Sequence, residues 1–263
     1  MQISRYRLKL GRLKHIFISH LHGDHYLGLV GLLSTLHLRN RVDDLYIFGP
    51  AGLNDIITMH LKYTEMVLGY KIHFKSLDSG NSEVLVDNDS VTVSSIPLDH
   101  RIPCTGFLFR EKVKYYRLKK SQNLKKLTLD DIHNLKSGRD VRRPDGTIKY
   151  GLNEYTEPPR KPRAYAYCSD TRYNEDVIPY IKSIDLLYHE STFLGDLEQR
   201  AHETYHSTAG QAASIAAKAE VVKLILGHFS IRYKELYPLL SEATDIFPNS
   251  HLAVEGQRVS IDY

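Results

Sequence analysis

The 263-residue sequence has no tryptophan and only two cysteines, Cys104 and Cys168, far apart and in no CxxC spacing. A disulfide framework is therefore not what holds it together, and a reducing compartment fits. Both thiols read as small buried hydrophobes. No apolar run is long enough to cross a bilayer. Residues 1–7 are not followed by an apolar stretch of signal-peptide type. There is no internal repeat and no low-complexity tract. Net charge is also scarce, at +4, which taken alone says little about nucleic acid. With 42% apolar and 25% charged residues, a sizeable core is possible and wholesale disorder is excluded. The expectation is a cytoplasmic protein with no membrane association.

Hydrophobic patterning places a strand over 13–19, a helix over 28–38, a strand over 45–48 closed by Gly49-Pro50, and a helix over 53–63. Strands follow at 84–86, 91–96 and 105–109, with Asp and Asn turns between them. From residue 164 strands and helices alternate: strands at 164–168, 184–188, 221–226 and 251–254, helices at 175–182, 208–219 and 233–243. Mixed strands followed by αβ units predict an α/β fold of layered sheets covered by helices.

Between them lies residues 112–163, where 15 Lys and Arg stand against 6 Asp and Glu. The rest of the chain is slightly acidic. This segment lacks long apolar runs and carries turn signals at Pro144-Asp145-Gly146 and Pro158-Pro159. It reads as a basic arm inserted in the main domain.

Histidine is abundant, with 14 residues. Ser19-His20-Leu21-His22-Gly23-Asp24-His25 follows the first strand directly. Imidazole nitrogen with carboxylate oxygen is the donor set of catalytic zinc. His20 and His22 alternate as on a strand end, and Gly23 permits a turn that presents Asp24 and His25 to a neighbouring point. His100, Asp170 and His228 each follow a later strand, where loops build sites on a rigid scaffold.

The HxHxDH pattern resembles the signature of the metallo-β-lactamase superfamily. That resemblance implies an αββα sandwich with a two-metal site on one edge of the sheets. By position it implies His20, His22 and His100 on one ion, Asp24, His25 and His228 on the other, and Asp170 bridging. Two Zn²⁺ ions are implied, and Mn²⁺ suits the same donors.

The flanks are more specific. His189-Glu190-Ser191-Thr192 is similar to the HEAT motif of the ribonuclease Z family, with Ser in place of Ala. His206-Ser207-Thr208 matches its HST loop, and Gly227 to Tyr233, GHFSIRY, its last ligand motif. The resemblance implies a zinc endoribonuclease that removes the 3′ trailer of precursor tRNA. His206 would be the general acid, Glu190 its orienting carboxylate, and Asp24 a proton acceptor as well as a ligand. The basic arm would be a tRNA exosite, with Lys119, Lys120, Lys125 and Lys126 on RNA, and the enzyme a homodimer. The family's first two strands have no counterpart, so the main domain, 1–263, is expected to be N-terminally incomplete. Another superfamily phosphodiesterase, or a noncatalytic metal-bound RNA-binding remnant, is the alternative.

Overall fold

A computed structural model describes residues 2–261. Two sheets face each other. The first holds three parallel strands in the order His15–Phe17, Leu45–Gly49, Ile72–Ser76. The second holds seven, in the order Ser250–Leu252, Lys223–Gly227, Leu186–Glu190, Ala164–Cys168, Cys104–Glu111, Val91–Leu98, Val84–Asp87. Its first four are mutually parallel and the rest antiparallel.

Helices Gly23–Leu38 and Leu53–Tyr63 cover the outer face of the first sheet. They bury Leu29, Leu33, Leu36, Leu53 and Ile57 against Leu45 and Ile47. Helices Ala209–Lys218 and Tyr237–Ile246 cover the second, packing four alanines and Ile215 onto Ala166, Leu187, Leu224 and Leu226. Small residues on both sides let helix and sheet approach closely. Between the sheets sits an aromatic seam: Phe17 stacks on Phe48 at 4.9 Å and meets Phe107 and Phe109 at 5.2 and 5.5 Å. The αββα layering that the resemblance implied is therefore present. Three strands cannot cover seven. Tyr165, Leu186, Tyr188 and Ile225 on the inner face instead line an open pocket of about 460 Å³, edged by Val254, Val259 and Ile261.

Several boundaries move. The helix expected over 28–38 begins at Gly23. Asp24 and His25 thus stand in its first turn and not on a free turn, and Asp24 complements the positive end of the helix. Leu186–Glu190 and Lys223–Gly227 sit one or two residues later than expected, and the last helix starts at Tyr237. The 175–182 helix divides into a 3₁₀ turn, Glu175–Val177, and Ile178–Ile181, with Pro179 in the first turn. Strand Ile72–Ser76 and helix Glu198–Thr204 were not expected. The helix has only Ala201 buried and so no apolar stripe to read.

Residues 112–163 form a small folded unit. Helix Leu129–Lys136 has a Thr128/Asp131 capping box, and Val141–Arg142 pairs with Ile148–Tyr150 around a turn with Gly146 at φ 85°. Leu135 and Val141 are its buried centre. At its root, Glu111 holds Arg163 through Oε1–Nη2 at 2.6 Å and Oε2–Nε at 3.1 Å.

Candidate metal centre and acid pair

Register places the site. In the second sheet Cys168 lies beside His189 and Glu190 beside Gly227. The residues just past these strand ends, Asp170 and His228, therefore emerge on one edge with Glu190. His100 leaves the strand Val91–Leu98 at the same edge, and the loop after His15–Phe17 brings His20 and His22. Gly227 is required here because an added Cβ would lie 2.1 Å from the Tyr188 hydroxyl. His228 then turns left-handed at φ 57°, a conformation that histidine adopts more readily than most residues.

Ligand-type atoms of His20, His22, His100 and Asp170 lie within 4.8 Å of one another, as do those of Asp24, His25 and His228. His22 Nδ1 is 3.1 Å from His20 Nε2 and 3.2 Å from His100 Nε2. Three nitrogens bound at 2.0–2.1 Å to one tetrahedral ion would stand roughly 3.3 Å apart, so the cluster fits one cation. One Asp170 oxygen, Oδ2, faces both groups. It is 3.5 Å from His20, 4.0 Å from His100, 3.5 Å from His25 and 3.4 Å from His228. Asp24 Oδ2 stands 3.3 Å from His25 and 4.0 Å from His228, and its side chain is 72% exposed.

Hydrogen bonds fix the tautomers, which follow from the network. His100 Nδ1–H donates to Tyr205 O at 2.9 Å, leaving Nε2 a lone pair. A relay runs from His20 Nδ1–H to Ser19 Oγ at 3.1 Å, on to Ser169 Oγ at 3.3 Å and to Asp170 Oδ1 at 3.2 Å. It bares His20 Nε2 and leaves Asp170 Oδ2 to the centre. The Thr192 hydroxyl donates to Glu190 at 2.6 Å and accepts from His228 Nδ1 at 2.9 Å, so His228 also presents Nε2. Burial holds His20 down at about 3, reinforced by the histidines around it. Burial lowers His25 and His100 as well. Neutral imidazoles with facing lone pairs are metal ligands in waiting.

Beside this centre, Glu190 is wholly buried and accepts five hydrogen bonds. They come from Thr171 N (2.8 Å), Thr192 N (3.2 Å), Thr192 Oγ1 (2.6 Å), Ser207 N (3.1 Å) and His206 Nδ1 (2.9 Å). Burial alone would raise its carboxyl, but His206 and Thr192 hold it below the usual range. Burial opposes charge on His206 too, and the bond and charge of Glu190 outweigh it, so the imidazole is raised. A His206 nitrogen lies within 4.8 Å of ligand atoms of Asp170 and His228.

The structure thus brings together all seven expected ligands with Glu190 and His206. Lys119, Lys120, Lys125 and Lys126 lie apart on the arm, and Lys119 Nζ donates to Asn153 O at 2.7 Å. Ser19, Ser169, Thr192 and Tyr205 were not singled out from sequence. All four sit inside or against the motifs, but a motif does not aim a hydroxyl or a carbonyl.

No protein-family model matches the chain. A ribonuclease Z of Cytophaga hutchinsonii is 52% identical over 234 residues, covering 89% of this chain and 75% of that protein. A ribonuclease Z of Bacteroides thetaiotaomicron is 44% identical over 263 residues, covering all of this chain and 83% of that one. Among solved structures, the short form of human tRNase Z superposes with a TM-score of 0.66 at 26% identity, covering 99% of this chain and 84% of that chain. A metallo-β-lactamase fold protein, YhfI of Bacillus subtilis, shares the fold at a TM-score of 0.62 and 16% identity, over 96% of this chain and 80% of that one.

Proposed function

Because the chain belongs to the ribonuclease Z family, we propose that it is a two-zinc endoribonuclease that cuts precursor tRNA after the discriminator nucleotide. The observation that carries this is the junction of two ligand clusters on Asp170 Oδ2 with a buried Glu190–His206 pair at its side. His20, His22 and His100 would hold one ion, Asp24, His25 and His228 the other, and Asp170 both. When bound, such a pair polarises the phosphoryl group and lowers the pKa of a water.

The chain's own groups do the rest. Water attacks phosphorus and the P–O3′ bond breaks. His206, its Nδ1–H held by Glu190, presents Nε2–H to the departing O3′. The tRNA leaves with a 3′-hydroxyl and the trailer with a 5′-phosphate. Asp24, exposed at the lip, accepts the proton of the attacking water. A ribose alkoxide is a poor leaving group, which is why the acid is needed at all. The arm supplies cations for phosphates remote from the cut. A cleft of about 620 Å³ at its root, lined by Lys114, Tyr115, Tyr116, Arg117 and Lys136, combines charge with aromatic faces. The reading includes a homodimer working in the cytoplasm; no described helix is long and apolar enough to cross a membrane.

Metal analysis tests it. The purified protein should carry about two zinc ions per chain, and chelation should abolish hydrolysis of precursor tRNA and of bis(p-nitrophenyl) phosphate together. A folded protein that takes up one ion or none contradicts the dinuclear reading.

A further inference from the structure

His100 and His206 belong to different parts of the chain and to different roles, yet one group of contacts sets both. Tyr205 ends helix Glu198–Thr204 in a left-handed conformation, φ 60° and ψ 47°, although it is not glycine. Its carbonyl accepts the Nδ1–H of His100, and its neighbour is His206. A β-carbon disfavours this conformation, and the helix end is closed by backbone bonds from Tyr205 N to His202 O at 3.3 Å and from His206 N to Ala201 O at 2.8 Å.

Arg172 adds a second hold, through the side chain. Its guanidinium lies 4.5 Å over the Tyr205 ring, and its Nε bonds Asp99 Oδ2 at 2.5 Å. Asp99 directly precedes His100. The backbone repeats the tie: Arg172 N donates to Asp99 O at 2.9 Å, and Asp99 N meets Thr171 Oγ1 at 3.1 Å. On the other side Ser207 Oγ donates to Thr171 O at 2.7 Å. Segments 99–100, 171–172 and 205–207 are thereby closed into a ring around the two histidines. The planar guanidinium can stack on the ring and pair with the carboxylate at once, which a lysine cannot.

We infer that Arg172, stacked on Tyr205 and paired with Asp99, is a positioning residue that couples the His100 metal ligand to the His206 acid. The inference rests on the reading of His100 as a ligand and His206 as the acid. Releasing Arg172 leaves the Tyr205 turn on its backbone bonds alone, so the carbonyl that fixes the His100 tautomer is less firmly aimed. The same release turns His206 away from the leaving oxygen. The ion on His20, His22 and His100 should weaken, while the ion on Asp24, His25 and His228, held through Thr192, should not.

The test is zinc titration of metal-free protein against a chromophoric chelator, for wild type, Arg172→Lys, Tyr205→Ala and Tyr205→Phe. Loss of such outer support costs metal affinity roughly 10–100-fold. That loss is expected for one of the two ions in Arg172→Lys and in Tyr205→Ala. Tyr205→Phe, which keeps ring and carbonyl, should restore it. Precursor tRNA turnover should follow, with kcat falling and KM held. If Arg172→Lys does not fold, the Tyr205→Ala and Tyr205→Phe pair decides. Two ions bound with wild-type affinity in Tyr205→Ala, with only thermal stability lowered, would overturn the coupling and leave the metal reading intact. A wild-type protein that binds no zinc would overturn both.

Discussion

At the scale of single residues, the division of labour around Glu190 can be read out by substrate. His206→Ala should lower precursor tRNA cleavage by about 10²–10⁴-fold. It should leave bis(p-nitrophenyl) phosphate within a few-fold, because p-nitrophenolate leaves without help. Equal damage to both substrates with zinc content intact would mean that the histidine shapes the site rather than donating a proton. Thr192→Val should behave differently. It keeps the shape but takes the shared hydroxyl from His228 Nδ1 and Glu190. Zinc affinity should fall roughly 10–100-fold and both substrates should suffer, as seen by titration and paired assays. The nine residues gathered at this edge, His20, His22, Asp24, His25, His100, Asp170, Glu190, His206 and His228, were legible in the sequence because their types recur in motifs that follow strands. The Ser19–Ser169 relay and the Tyr205 carbonyl were not, because their roles depend on where a hydroxyl or a backbone oxygen points. Glu190 illustrates the boundary: its motif named it, but only the fold shows five donors converging on one carboxylate.

At the scale of elements, the proposed role of the arm is to carry the substrate's bulk. Reversing the charge of Lys119, Lys120, Lys125 and Lys126 should weaken precursor tRNA binding and flatten its salt dependence. A small phosphodiester, which does not reach the arm, should be hydrolysed as before. The arm is rooted on the Glu111–Arg163 pair, which holds the Glu111 carboxyl down at about 2, so in the proposed reading the pair sets the arm's aim. Glu111→Ala should therefore raise KM for precursor tRNA and spare the small ester; equal loss on both would make the clamp part of the main fold. Long periodic elements such as Leu53–Tyr63 and Ala164–Cys168 were readable to the residue. Glu198–Thr204 was hidden because a helix with one buried alanine has no stripe, and Gly23 read as a turn while serving as a helix start. The folded interior of the arm was hidden for the same reason, since Leu135 and Val141 are its only fully inward hydrophobes among the described residues.

For the whole molecule, the centre doubles as a tie between sheets. His20, His22, Asp24 and His25 come from the first sheet's side, while His100, Asp170 and His228 come from the second. Ions that bind only the folded chain stabilise it by mass action. A site at a hundredfold excess of ligand over its Kd adds about 2.7 kcal/mol, which for a chain of this size is on the order of 5–10 °C in melting temperature. Removing zinc should lower the melting point by at least that much, measured with and without chelator; an unchanged midpoint would deny the tie. The ends of the products report the proposed reaction most directly. A precursor tRNA with a 3′ trailer, incubated with the zinc-loaded protein, should be cut once after the discriminator nucleotide. The tRNA should carry a 3′-hydroxyl and the trailer a 5′-phosphate. An intact precursor in the presence of two bound ions, or products ending in a 2′,3′-cyclic phosphate, would contradict the account.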